Sequence, residues 1–155
     1  MPAHHIRRTA TSAAPPSAVF ALLADIETWS RWGSWERTEL ESPAPDGTGG
    51  VGAIRRLTSR AFGRPIVSRE RVAELVADRR VVYELLTGLP LVGYRGVIEL
   101  EPDAAGGTTI TWSSSFDGET RLGGWFYRLA LGGFIGRTAA AVARAAAAPA
   151  LRTAA

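Results

Sequence analysis

From residue 51 to residue 117 the chain reads as short strands in succession, and from 121 to 148 it reads as one long helix, an order that leaves few folds open. Strand-like segments near 51–60, 65–76, 79–88, 91–101 and 107–117 are divided by turn residues: Asp78, then Gly88 and Pro90, then Asp103, Gly106 and Gly107. The last segment alternates cleanly. Thr108, Ile110, Trp112, Ser114 and Phe116 share one face, and Thr109, Thr111, Ser113, Ser115 and Asp117 share the other. In the segment before it, Glu99 and Glu101 mark the outer face, so Tyr94, Gly96, Ile98 and Leu100 point inward. Strands joined this tightly pair antiparallel. A sheet with one apolar face then needs a cover, and the helix supplies it. Its second half, from Thr138 to Ala148, is mostly alanine, the best helix former, and Pro149 stops it.

The N-terminal part fits the same plan. Residues 4–12 suit a strand, which Ala13-Ala14-Pro15-Pro16-Ser17 breaks. Pro16 suits the first turn of a helix, whose apolar residues Val19, Phe20, Leu22 and Leu23 end near Asp25. Trp29, Trp32 and Trp35 recur at a spacing that fits a short helical turn running into a strand, and Pro43, Pro45, Asp46, Gly47, Gly49 and Gly50 form a loop. The expected architecture is α+β: a seven-stranded antiparallel sheet, two short helices after the first strand, and a long C-terminal helix. Residues 1–155 read as a single domain, with 146–155 as a frayed tail.

The long helix has two apolar stripes. One runs Leu122, Phe126, Leu129, Gly133, Gly136, Ala140, Ala143, Ala147; the other runs Tyr127, Leu131, Phe134, Ile135, Thr138, Val142. The first is expected to face the sheet, its small residues leaving space for a cavity. The second then needs another cover, a homodimer partner or the N-terminal helices, and Gly132 and Gly136 would let another backbone approach.

Composition excludes several chemistries. With no cysteine there is no disulfide scaffold, thiolate metal site or cysteine nucleophile. His4 and His5, the only histidines, are strand neighbours facing opposite sides, so no metal site and no serine–histidine–aspartate triad is expected. Gly49, Gly50 and Gly52 lack the Lys and Ser/Thr of a phosphate loop. The net charge of +3, carried by arginine alone, is too small to point to nucleic acid. Neither a signal-peptide core nor an apolar run long enough to cross a membrane occurs, so a cytoplasmic protein without integral membrane association is expected. No cofactor is implied. The five arginines from residue 121 onward, with no acid among them, suit a solvated basic flank, or else a peripheral membrane or partner contact.

Two stretches resemble a known family. Ala14-Pro15-Pro16, Val19-Phe20, Leu22-Leu23-Ala24-Asp25, Trp29 and Trp32 form the first; Tyr94, Gly96, Leu100-Glu101-Pro102, Gly106-Gly107-Thr108 and Trp112 form the second. In order and spacing they resemble the polyketide cyclase/dehydrase and lipid-transport group of the START-like, birch-pollen-allergen-like helix-grip superfamily. The resemblance implies a curved sheet gripping the C-terminal helix, with an apolar cavity of roughly 300–1,000 Å³ between them that takes a hydrophobic small molecule, aromatic, polyketide-like or lipid-like. The expected lining is Trp29, Trp32, Arg71, Tyr83, Tyr94, Trp112, Phe116 and Phe126. Aromatase/cyclase members carry a cavity arginine two residues after a small polar one. Aligning the Arg-Val pair puts Arg71 there, with Arg69 in the polar slot; a shifted register offers Ser68 with Glu70 instead. The alternative function is therefore a polyketide aromatase/cyclase or dehydratase with Arg71 or Arg69 as electrophile. An inward Arg71 would need a ligand oxygen, or Tyr83 or Tyr94, as its acceptor.

Overall fold

Turn chemistry sets the ends of the elements in the computed structural model, which describes residues 2–148. Strand β1 (His4–Ser12) leads through Pro15 into α1 (Pro16–Ala24), a 3₁₀ turn (Ile26–Thr28) and α2 (Trp29–Trp32). Strands β2 (Arg37–Ser42), β3 (Ile54–Ala61), β4 (Arg64–Val76), β5 (Arg80–Thr87), β6 (Leu91–Pro102) and β7 (Thr108–Gly118) follow, and then α3 (Arg121–Ala147). The β3–β4 hairpin turns on Phe62 and Gly63, both at positive φ (52° and 73°), the geometry that matches the twist of paired strands. Of the tail expected to fray from 146, Ala146 and Ala147 are helical, and residues 149–155 lie outside the described residues.

The sheet order is β1-β7-β6-β5-β4-β3-β2, with every neighbouring pair antiparallel. It is the curved sheet, long helix and pair of short helices expected from the sequence. The inner face of β7 carries Ile110, Trp112, Ser114 and Phe116, all buried, and β6 sends Tyr94, Ile98 and Leu100 inward, as the alternation requires.

Helix α3 lies across this face with a rotation opposite to the expected one. Ile135, Thr138 and Val142, from the second stripe, are buried, together with Ala139, Ala143 and Ala146. Leu122, Phe126 and Leu129, from the first, are 84%, 55% and 72% exposed. Large apolar residues surround the front half of this helix, so the sequence pattern carries no phase there. Contacts fix the phase instead. Gly124 has no room for a Cβ because the His4 ring lies against it, and the Arg8 side chain runs past Gly132 and Gly136, the space expected to admit another backbone. Ser12 Oγ donates to Ala143 O (2.7 Å), tying the helix to β1. The Thr120 side chain caps the helix by accepting from the Gly123 N–H (3.0 Å). Of the stripe on which the homodimer expectation rested, Ile135, Thr138 and Val142 are buried against the rest of the protein, Phe134 packs edge-on against Trp35, and Tyr127 and Leu131 are half-buried. Among the described residues no helix is long and apolar enough to cross a membrane.

Candidate functional site

The site begins with the last turn of α1, whose carbonyls have no partners within their own helix. Trp29 Nε1 donates to Leu22 O (3.0 Å) and Leu23 O (3.2 Å). Arg55 Nη2 donates to Leu23 O and Ala24 O (both 3.3 Å), placing a cation at the negative end of the helix dipole. The guanidinium also lies over the Trp29 ring, 5.2 Å from its centroid. Arg55 is wholly buried and pins the short helices to the sheet.

Across the β3–β4 ladder, Arg55 faces Glu70, and the same inner row pairs Leu57 with Ser68 and Ser59 with Ile66. The alternate row is outward: Ile54 with Arg71, Arg56 with Arg69. The cavity arginine expected from sequence is therefore on the wrong face. Arg71 pairs with Glu84 (2.6 Å) and Arg69 with Glu41 (2.6 Å), both on the outer surface of the sheet. The physical reason is local. The β4–β5 ladder shifts register between Arg69 and Glu70 and again between Val72 and Glu74, so facing on β4 is set by its ladder with β3, which puts Glu70 opposite the buried Arg55, and an alignment of the Arg-Val pair does not reveal it. The shifted register, Ser68 with Glu70, is the one that faces inward.

Between this row and α3 lies a cavity of about 150 Å³. Its deep end is made of Trp29, Tyr83, Tyr94, Trp112, Ile135 and Thr138, all buried; the half-buried Ile66, Leu85, Leu89 and Leu131 form its mouth. It is smaller than the expected volume because Trp35 and Phe134, packed on each other, fill part of the space. A depression of about 410 Å³ on the outer face, around His5, Arg7, Arg95 and Ser113, is a trough left by short side chains and has no apolar enclosure.

Four expected lining residues come together: Trp29, Tyr83, Tyr94 and Trp112. Trp32 is turned away, its Nε1 donating to Thr28 Oγ1 (3.3 Å), and Trp35 takes its place. Phe116 lies behind the wall, stacked between His4 and Tyr94. Phe126 is on the solvent side of α3. The sequence does not mark Glu70 and Arg55 as a pair. Their sequence signal is thin: a carboxylate and a guanidinium opposite each other on a hairpin whose register the sequence leaves open.

The polar atoms of the deep end form a chain. Trp112 Nε1 donates to Tyr83 Oη (2.9 Å), Tyr83 Oη lies 3.4 Å from Tyr94 Oη, and Tyr94 Oη bonds Ser114 Oγ (2.8 Å). Burial pushes Tyr94 up to about 12, against the hydrogen bonds from Ser114 and Tyr83, and pushes Tyr83 well above its ordinary value, so both stay neutral at neutral pH. Burial pulls the Arg55 guanidinium below its ordinary value, opposed by Glu70, Tyr83 and Asp25. Gly96 is what lets Tyr83 lie flat in this chain, since a Cβ there would enter the Tyr83 ring. Gly96→Ala is expected to cost about 1–3 kcal/mol in denaturant unfolding by displacing that ring, and to change the near-ultraviolet circular dichroism of Trp112.

Glu70 is the outlier. Burial raises it from 4.5 to about 7, and Arg55 only partly offsets this. A carboxyl raised on folding stabilises least when ionised. Its contribution is full below the unfolded value and is lost as pH rises from about 4.5 through about 7. The unfolding free energy of Glu70→Gln minus that of the wild type is expected to grow over this interval, by at most about 3 kcal/mol, and to level off above it. A flat difference between pH 4 and 8 contradicts the assignment.

No curated protein matches this sequence. Solved structures share its fold. A START superfamily protein from Mycobacterium smegmatis superposes with a TM-score of 0.75 at 15% identity, over 88% of this chain and 92% of that one. The Zhui aromatase/cyclase from Streptomyces sp. R1128 gives 0.73 at 21% identity, over 92% of each. The protein TTHA0849 from Thermus thermophilus gives 0.70 at 17% identity, over 97% of each. A family model described as polyketide cyclase / dehydrase and lipid transport matches residues 3–151, which hold every element from β1 to α3, and the chain belongs to that family.

Proposed function

We propose that this protein binds a small hydrophobic molecule in the cavity between the sheet and α3. The observation that carries the reading is the enclosure itself: an apolar space of about 150 Å³ walled by Trp29, Trp112, Tyr83 and Ile135 and opening between Ile66, Leu89 and Leu131. An apolar cavity of about this volume takes a benzene-sized molecule, and the mouth leaves room for a chain extending outward. The family's description, with both cyclases and lipid transport in it, agrees with a hydrophobic ligand. A cyclase using Arg71 or Arg69 gains no support, because each is already held in an ion pair outside the cavity. Toluene is expected to raise the thermal unfolding midpoint in a concentration-dependent way. Leu131→Trp, which fills the mouth, is expected to abolish that rise without lowering the midpoint itself. If toluene leaves the wild-type midpoint unmoved, the reading is wrong.

A further inference from the structure

Four polar side chains at the deep end of the cavity are committed to the protein. Trp29 Nε1 is used on α1, Trp112 Nε1 on Tyr83, Tyr94 Oη on Ser114, and Thr138 Oγ1 on Phe134 O (2.8 Å). Glu70 lines the same cavity, and its Oε2 is sealed from solvent with no hydrogen-bond partner. Arg55, opposite it on the ladder, supplies a compensating charge but spends Nη2 on α1, and its Nη1 bonds nothing. A buried acceptor left unpaired costs about 1–3 kcal/mol, and a ligand donor that reaches it recovers that cost.

We propose that Glu70 is the polar anchor of the ligand site, and that the ligand is a small, uncharged, largely apolar molecule carrying an alcohol, phenol or enol whose O–H donates to the Glu70 carboxyl. The inference rests on the cavity reading above and adds the polarity of what binds. Charge decides the class. The groups facing Glu70 are Arg55 on β3, Tyr83 on β5 and Tyr94 on β6, while α3 presents Thr138 and apolar side chains. A ligand anion would meet the carboxylate. A ligand ammonium would add a second cation beside Arg55 in an apolar space, where an uncompensated charge is costly. A neutral hydroxyl completes the carboxyl's hydrogen bonding and leaves the Arg55–Glu70 charge balance as it is.

Benzyl alcohol and ethylbenzene have the same size and differ by a hydroxyl in place of a methyl, so calorimetric titration with both isolates the anchor. Glu70→Met is expected to shift the ratio of their dissociation constants about tenfold toward ethylbenzene, the equivalent of one hydrogen bond. Glu70→Gln keeps an acceptor and is expected to shift it much less. An unchanged ratio in Glu70→Met overturns the anchor and leaves the cavity standing. Failure of both compounds to bind the wild type overturns both readings. Benzylammonium binding more tightly than benzyl alcohol overturns the assignment of an uncharged donor. Should Glu70→Met fail to fold, a crystal structure of the wild type with benzyl alcohol decides: its oxygen within about 3.2 Å of the Glu70 carboxyl supports the proposal, and any other pose overturns it.

Discussion

Arg55→Ala is expected to lower the unfolding free energy by about 3–5 kcal/mol, read from urea denaturation at neutral pH. Three losses coincide. The carbonyls of Leu23 and Ala24 at the end of α1 lose their donor, the face of Trp29 loses its cation, and Glu70 loses its compensating charge. Removing a single member of a buried charged pair is the costly change, because it strands the other. The double variant Arg55→Met/Glu70→Leu is therefore expected to be more stable than Arg55→Ala alone. The pair is asymmetric. Glu70→Gln leaves Arg55 its two carbonyls and its tryptophan, so at neutral pH it is expected to stabilise. A double variant no better than Arg55→Ala would mean that Arg55 acts through α1 alone.

The second large effect separates the two faces of α3. Ile135 is 2% exposed and lines the cavity, whereas Leu129, fewer than two turns earlier, is 72% exposed. Ile135→Ala is expected to cost about 2–5 kcal/mol, and Leu129→Ala to fall within about 0.5 kcal/mol of the wild type. Equal costs would mean that Leu129 is covered in solution. The same pair of variants tests the rotation of the helix independently of any ligand.

What the sequence made legible followed from short-range rules. Strand alternation put Trp112 and Tyr94 inside, turn residues marked the hairpins, and an alanine run ending at a proline marked the helix. Errors arose where a side chain's direction depends on a partner strand. Parity holds along β7, whose ladder with β1 is unbroken. On β4, whose ladder with β5 is shifted twice, the alignment of the Arg-Val pair puts Arg71 and Arg69 on the face that Glu70 occupies. Arg55 stands in the sequence among Arg56, Arg60, Arg64, Arg69 and Arg71 and carries no local mark that sets it apart from these more exposed arginines. Only the end of α1, remote in sequence, distinguishes it. The helix rotation failed for another reason. A helix apolar on two sides is turned by what fits against its glycines, and those contacts come from His4 and Arg8 on β1.

The pairing of β1 with β7 also sets an order of events during synthesis. Each of the strands from β2 to β7 lies beside its sequence neighbour, so the meander can zip hairpin by hairpin as it leaves the ribosome, by contacts that close quickly. Strand β1 has no partner until β7 has emerged, since His4 pairs with Phe116 and Ser12 with Thr108. Helix α3 follows later still and docks on β1 and β7 together. The nascent chain therefore carries an open sheet edge and an unroofed apolar face until β7 and α3 have both emerged, which makes that interval the time of greatest exposure to aggregation and to chaperones.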